Sequence, residues 1–236
     1  MRLAPVQAVG IGSPVTSGNN NIEYSIQPTT SLQEKKTQQY YSEKINYING
    51  IFYGEINLAH INIEHSNSLP NGNIYMCHHS HFKIHPEMDD IFLEICNRDK
   101  NSVIVLGSLP YFSTLKAIEY RLSEKLGDKY KKHIFILPEL NLASLQGILS
   151  KSHVMLDTLF FGSGTTAVEA THALLPVVSY PNLRHTYVSK IVEDIYNLLD
   201  CQHIKNACIA YNTNDYIEKC VEIATNHELR NFIKKK

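Results

Sequence analysis

No run of about eighteen apolar residues occurs in this 236-residue chain, so nothing in it is built to span a membrane as a helix. An excess of either charge is lacking too. Lys and Arg number 22 against 23 Asp and Glu, for a formal net charge of -1. That balance leaves no electrostatic footprint for nucleic acid or an anionic lipid surface. The basic run Lys234, Lys235, Lys236 is too short to alter it. The five cysteines (Cys77, Cys96, Cys201, Cys208, Cys220) are an odd set without a Cys-x-x-Cys pair, which argues for reduced thiols. Residues 1–5 lack the apolar core of a secretion signal, so a soluble cytoplasmic protein is expected. No Gly-x-Gly-x-x-Gly follows a first strand, which disfavours an NAD enzyme.

Hydrophobic residues make up 43% and charged residues 19%, a composition that supports a packed core. Residues 6–12 and 22–27 read as strands, and 28–73 as an irregular connection with one or two short ordered pieces. Beyond it the pattern changes. Apolar runs predict strands over 74–78, 102–106, 133–137, 154–157 and 177–180. Apolar residues at steps of three and four predict helices over 87–98, 115–126, 142–151, 165–174, 187–199 and 214–235. This alternation is the signature of a parallel sheet covered on both faces, the doubly wound α/β class.

In such sheets ligands bind beyond the carboxyl ends of the strands, and three of those ends carry polar residues suited to a nucleoside diphosphate. The first follows the strand near Asp157 and reads Phe161-Gly162-Ser163-Gly164-Thr165-Thr166-Ala167-Val168-Glu169. Its glycines let backbone approach a ligand, its hydroxyls add donors, and the N–H groups of a helix start attract anions. Glu169, one helical turn past Thr165, faces the same side and can accept from ribose hydroxyls. On its own, a plain glycine-serine turn with a threonine cap reads the same way.

The second is the segment 77–86, in which Lys83 can neutralise a phosphate with Ser80 donating beside it. In an extended chain His79, His81 and Lys83 share one face and His78, Ser80 and Phe82 the other. The histidines therefore do not converge, no carboxylate or thiolate stands at a ligand spacing, and a metal site is not expected. The third is Leu137-Pro138-Glu139-Leu140-Asn141, whose backbone can read the edge of a nucleobase. His172 inside a helix reads as packing, and Asp157 as a residue that orients the loop beside it. Arg184 and His185 stand in a loop where a substrate can pass, or simply in solvent.

In order and spacing these segments resemble the C-terminal half of family 41 glycosyltransferases. That family includes protein O-GlcNAc transferase and bacterial cytoplasmic N-glycosyltransferases. Residues 2–18 (RLAPVQAVGIGSPVTSG) are similar to its R-x-A-P-x-Q…G-x-P-x-T-[TS] segment, Ile22-Glu23-Tyr24 to its I-[DE]-Y, and Ser42-Glu43-Lys44 to its S-E-x. Ser80-His81-Phe82-Lys83-Ile84 resembles its S/Q-x-x-K-[IL] phosphate loop. Residues 157–169 resemble its D-T/S-P…G-x-T-[TN]-x-x-x-D block with Glu169 for Asp, and 174–178 its A-G-x-P-x-V strand entry.

The resemblance implies a GT-B type fold with a Rossmann-like doubly wound parallel sheet. Residues 1–45 would close a first domain, 46–73 connect, and 74–236 form the UDP-sugar-binding domain with C-terminal helices. By the same resemblance Ser80 and Lys83 hold the pyrophosphate, Gly164, Thr165 and Thr166 bind phosphate at the helix start, and Glu169 holds the ribose. Pro138, Glu139 and Leu140 would meet the uracil, and Pro14 and Thr16 would lie in the cleft with Arg184 and His185. The implied chemistry is inverting transfer of a hexose or N-acetylhexosamine from a UDP-sugar to Asn or Ser/Thr side chains of a protein acceptor. It needs neither metal nor cofactor, in keeping with the lack of an Asp-x-Asp triad. Departures are Ser13 for a His, Gly164 for the His of His-Thr-Thr, and Leu142 and Leu145 where the family has an aromatic contact. No catalytic residue is assigned, because the residues expected to activate the acceptor would lie in an N-terminal half not seen here. The alternative expectation is a catalytically inactive nucleotide-binding or partner-binding module, with a second chain supplying that half.

Overall fold

The computed structural model describes residues 2–10, 15–28, 37–50, 69–107, 112–181 and 187–234. Strands β1 (Ala8–Val9), β2 (Tyr24–Pro28) and β3 (Lys44–Ile48) form a parallel three-stranded sheet in that order. Strand β3 is one of the short ordered pieces expected within 28–73, and the boundary drawn at 45/46 runs through it. Three of its five residues are apolar, but only Ile45 is buried, between exposed Lys44 and Asn46.

The turn that follows β1 is held by one carboxylate. Glu43 is fully buried and accepts hydrogen bonds from Thr16 Oγ1 at 2.7 Å, from the Ser17 amide at 2.7 Å and from the Ser17 hydroxyl. Burial pushes this carboxyl up, but the bonds from Ser17 and Thr16 outweigh it and hold the pKa down at about 2. A folded-state pKa below the unfolded value contributes stability that is present above the ordinary Glu pKa and lost as pH falls through the folded one. Thermal melts between about pH 5 and about pH 2 should therefore show the wild type losing an acid-sensitive increment that Glu43→Gln lacks. Parallel pH profiles for the two proteins would remove Glu43 as its source.

The larger sheet is all parallel, with strands β4 (Asn73–Cys77), β5 (Ser102–Leu106), β6 (Ile134–Ile136), β7 (Val154–Leu156) and β8 (Val177–Val178). Its order is β6-β5-β4-β7-β8. Every residue of β5 and β7 is buried, the mark of strands covered on both faces. The covering helices are α1 (Glu87–Arg98), α2 (Phe112–Leu126), α3 (Lys129–His133), α4 (Leu142–Lys151), α5 (Thr165–His172), α6 (Ile191–Leu198), α7 (Gln202–Cys208), α8 (Thr213–Thr225) and α9 (His227–Lys234).

Helix α1 buries Met88, Ile91, Phe92 and Ile95 completely, each worth about 1.5–3 kcal/mol against exposure. Helix α8 packs on β4, β7 and β8 through Tyr216, Ile217, Cys220 and Ile223. The single helix expected over 214–235 is two, because Asn226 leaves α8 in extended geometry and its side chain accepts from the Leu229 amide at 3.0 Å to start α9. All five cysteines are free and buried, and burial holds Cys208 protonated up to about 12. No helix among the described residues is long and apolar enough to cross a membrane.

Candidate functional site

Strand β4 has β5 on one side and β7 on the other, so the connections leaving β4 and β7 run to opposite halves of the sheet. That is a topological switch point, where the loops past the strand ends part and leave a crevice. One wall is the loop 78–86 after β4, and the other is the loop 157–164 after β7.

The β4 loop is stapled to both neighbouring strands by histidines. His79 Nε2 lies 2.9 Å from the carbonyl of Leu156 at the end of β7. His81 Nε2 lies 2.9 Å from the carbonyl of Gly107, just past β5. A 3₁₀ turn over His81–Lys83 then swings Lys83 the other way, so His79, His81 and Lys83 do not share the single face expected of an extended chain. Lys83 Nζ reaches across the crevice to donate to the Gly162 carbonyl at 3.1 Å and stands 4.5 Å from the centre of the Phe161 ring. Burial lowers the Lys83 pKa, while the Asp157 charge opposes that shift. The Ser80 carbonyl accepts from the Lys83 amide at 2.8 Å, and its hydroxyl has no partner among the described residues.

The β7 loop is organised by Asp157, as its place at a strand end suggested. One carboxylate oxygen accepts from the Thr158 amide at 3.0 Å, the Ser163 amide at 2.7 Å and the Ser163 hydroxyl at 2.6 Å. The other accepts from the Ser179 hydroxyl at 2.6 Å. Burial raises the Asp157 pKa against the pull of these donors and of Lys83. The turn closes so tightly that a Cβ on Gly162 would lie 2.6 Å from the Val188 carbonyl oxygen, which only glycine avoids. Gly164 is the cap of α5, and the amides of Thr165 and Thr166 have no acceptor among the described residues. Thr165 is exposed and Thr166 half-buried, so this helix start is open to an anion. Glu169, one turn on, is half-buried, and burial raises its pKa.

The base-reading candidates sit at the end of β6, on the same edge of the sheet and two strands from β4. Pro138 and Glu139 are exposed and Leu140 is half-buried. Asn141 caps α4 by accepting from the Ser144 amide at 2.9 Å. Thr16 is committed elsewhere, to Ser42 at 2.9 Å and to Glu43. His172 Nδ1 lies 2.8 Å from the Val168 carbonyl of its own helix, as a packing residue would. Pro14, Arg184 and His185 lie outside the described residues. Sequence reasoning gave no role to Phe161 or Ser179, and it did not foresee that Gly162 would accept from Lys83. A periodicity argument has no means of pairing residues 79 or 22 positions apart.

A lysine, free helix-start amides and hydroxyls around a crevice at a switch point form an arrangement that can cradle a diphosphate. The fold is the Rossmann-like α/β type found in GT-B glycosyltransferases. The chain is similar to a solved O-GlcNAc transferase of Thermobaculum terrenum, with a TM-score of 0.79 and 17% identity over 98% of this chain and 43% of that one. It is also similar to S. aureus TarM, solved as a mutant with fondaparinux, α-GlcNAc-glycerol and UDP, at a TM-score of 0.56 and 16% identity over 91% of this chain and 39% of that one. A UDP-forming α,α-trehalose-phosphate synthase from Burkholderia xenovorans matches at a TM-score of 0.57 and 12% identity, over 91% of this chain and 56% of that one. The chain thus spans about two fifths of the length of the first two. No protein-family model and no curated protein sequence matches it.

Proposed function

We propose that the chain carries the donor-binding part of a GT-B glycosyltransferase, taking a UDP-sugar in the crevice between the loops 78–86 and 157–164. The observation behind this reading is the Lys83 contact to Gly162 at 3.1 Å, which places a partly desolvated cation beside the open start of α5. In the reaction a nucleophile displaces UDP from the sugar, and charge develops on the departing diphosphate. Lys83, the Thr165 and Thr166 amides and the Ser80 hydroxyl are the groups that would stabilise that charge without a metal ion. Glu169 would accept from the ribose, and the loop carrying Pro138, Glu139 and Leu140 would meet the base.

The finer reading follows the family 41 resemblance, with a hexose or N-acetylhexosamine passing to Asn or Ser/Thr of a protein acceptor. Residues that activate the acceptor are not assigned, and a second domain would present it. Calorimetry of the chain with UDP, ADP and NAD is expected to show UDP bound in preference to the other two. Binding of NAD equal to or tighter than that of UDP would sink the assignment.

A further inference from the structure

The amino ends of the parallel strands point away from the donor crevice, and a second concavity lies there, beside the entry to β8. It has a volume of about 250 Å³ between the end of α5, the turn into β8, and helices α6, α7 and α9. Leu174, Leu175, Leu199, Ile204 and Ile233 make most of its wall. A space of that size holds about eight water-sized groups at ~30 Å³ each. Leu174 and Leu199 are exposed at 57% and 47%. Leu174 also stands at φ 54°, just past the end of α5, where glycine would be free of strain. An apolar side chain is therefore kept here at a conformational cost.

The wall hydroxyls are spent. Thr171 donates to the Ala167 carbonyl at 2.8 Å and Tyr196 to the Val177 carbonyl at 2.9 Å. Lys234 is different: it lines the cavity half-buried, with neither an ion pair nor a hydrogen bond among the described residues. The charges around it are of its own sign. Arg230, one turn back on α9, is buried and donates to the Ile223 and Ala224 carbonyls at 2.8 Å. Burial, with Arg230, Lys234 and His227 adding to it, holds His153 down at about 4. The carboxylate that opposes them, Asp99, is taken by the Asn73 amide group, the Tyr75 hydroxyl and the Asn101 amide. A half-buried ammonium without a counter-ion in the wall of an apolar cavity calls for an anion with an apolar tail.

We propose that this cavity binds an aliphatic carboxylate of about eight carbons, its chain in the cavity and its carboxylate on Lys234. The donor-site reading is independent of it. A single uncompensated ammonium matches a monoanion, whereas a phosphate dianion would leave one charge unpaired. Burial of the chain supplies affinity, and the ion pair selects an acid over an alcohol.

Calorimetry with octanoate, octan-1-ol and acetate tests this on the wild type, Lys234→Met and Leu199→Trp, with thermal melts to show that each variant is folded. The wild type should bind octanoate at least about tenfold more tightly than octanol, and acetate not detectably. Lys234→Met should bring octanoate down to the level of octanol while octanol stays within about twofold of wild type. Leu199→Trp, which sets a larger side chain against the cavity, should weaken both. Saturating UDP should leave octanoate in place, because the crevice lies at the other ends of the strands. The proposal is overturned if octanoate does not bind, if octanol binds as well, or if either variant leaves octanoate binding unchanged. Displacement by UDP would do the same, by moving the acid to the donor crevice.

Discussion

Asp157→Ala is expected to destabilise the chain by about 3–5 kcal/mol, because it orphans several buried donors at once, each costing about 1–3 kcal/mol. The Ser163 amide and hydroxyl, the Thr158 amide and the Ser179 hydroxyl all converge on this one carboxylate, and Ser163 and Asp157 are both buried. Asp157→Asn should be much milder. Three of the four donors share a single carboxylate oxygen, which an amide carbonyl can replace. The amide nitrogen then faces Ser179, whose hydroxyl can turn to accept. Burial, which disfavours the ionised form, offsets part of the loss of charge. Urea melts of the three proteins, followed by circular dichroism, decide the matter. An Asn variant as unstable as the Ala variant would show that the carboxylate network is not what holds the turn.

Lys83→Ala is expected to weaken UDP binding by about 1.5–3 kcal/mol, roughly 10- to 150-fold, the usual worth of a charge-assisted hydrogen bond to phosphate. Lys83→Arg should restore part of it, since a guanidinium keeps the charge but arrives with a wider head beside Phe161. Raising salt should weaken the wild type more than the alanine variant, because only the wild type presents the cation. Calorimetry at two salt concentrations checks both points. Affinity unchanged in Lys83→Ala would leave the crevice without its principal anion contact, and the donor site would have to be sought elsewhere.

Local chemistry made much of this architecture legible in advance. Helix α1 matches its expected span at 87–98 because Met88, Ile91, Phe92 and Ile95 recur on one face and α1 is amphipathic from end to end. Strand β5 was equally plain, as five residues with no polar interruption after Ser102. Helix α7 was missed because only Ile204 and Cys208 are buried in its seven residues, too few to set a period. Helix α3 was not foreseen, and its last residue, His133, was read as the start of β6, although His133 ends the helix while its ring bonds Ser102 of β5. At the site, the three loops and Lys83 were readable from strand ends and residue type. The histidine staples, the reach of Asp157 to Ser179 and the closeness of Gly162 to Val188 were not, because each depends on which strands become neighbours.

The switch point also settles how a ligand would be received. Strands β4 and β7 are adjacent rungs of one ladder, with Tyr75 opposite Val154 and Met76 opposite Met155, and both crevice walls are anchored to their ends. The His79 staple ties the first loop to the end of β7, and the Asp157 hub holds the second loop together from within. The crevice is therefore preorganised, its ordering entropy met during folding rather than on binding. Lys83 enters already tied to the Gly162 carbonyl, so an arriving phosphate exchanges one acceptor for a stronger one instead of immobilising a free side chain.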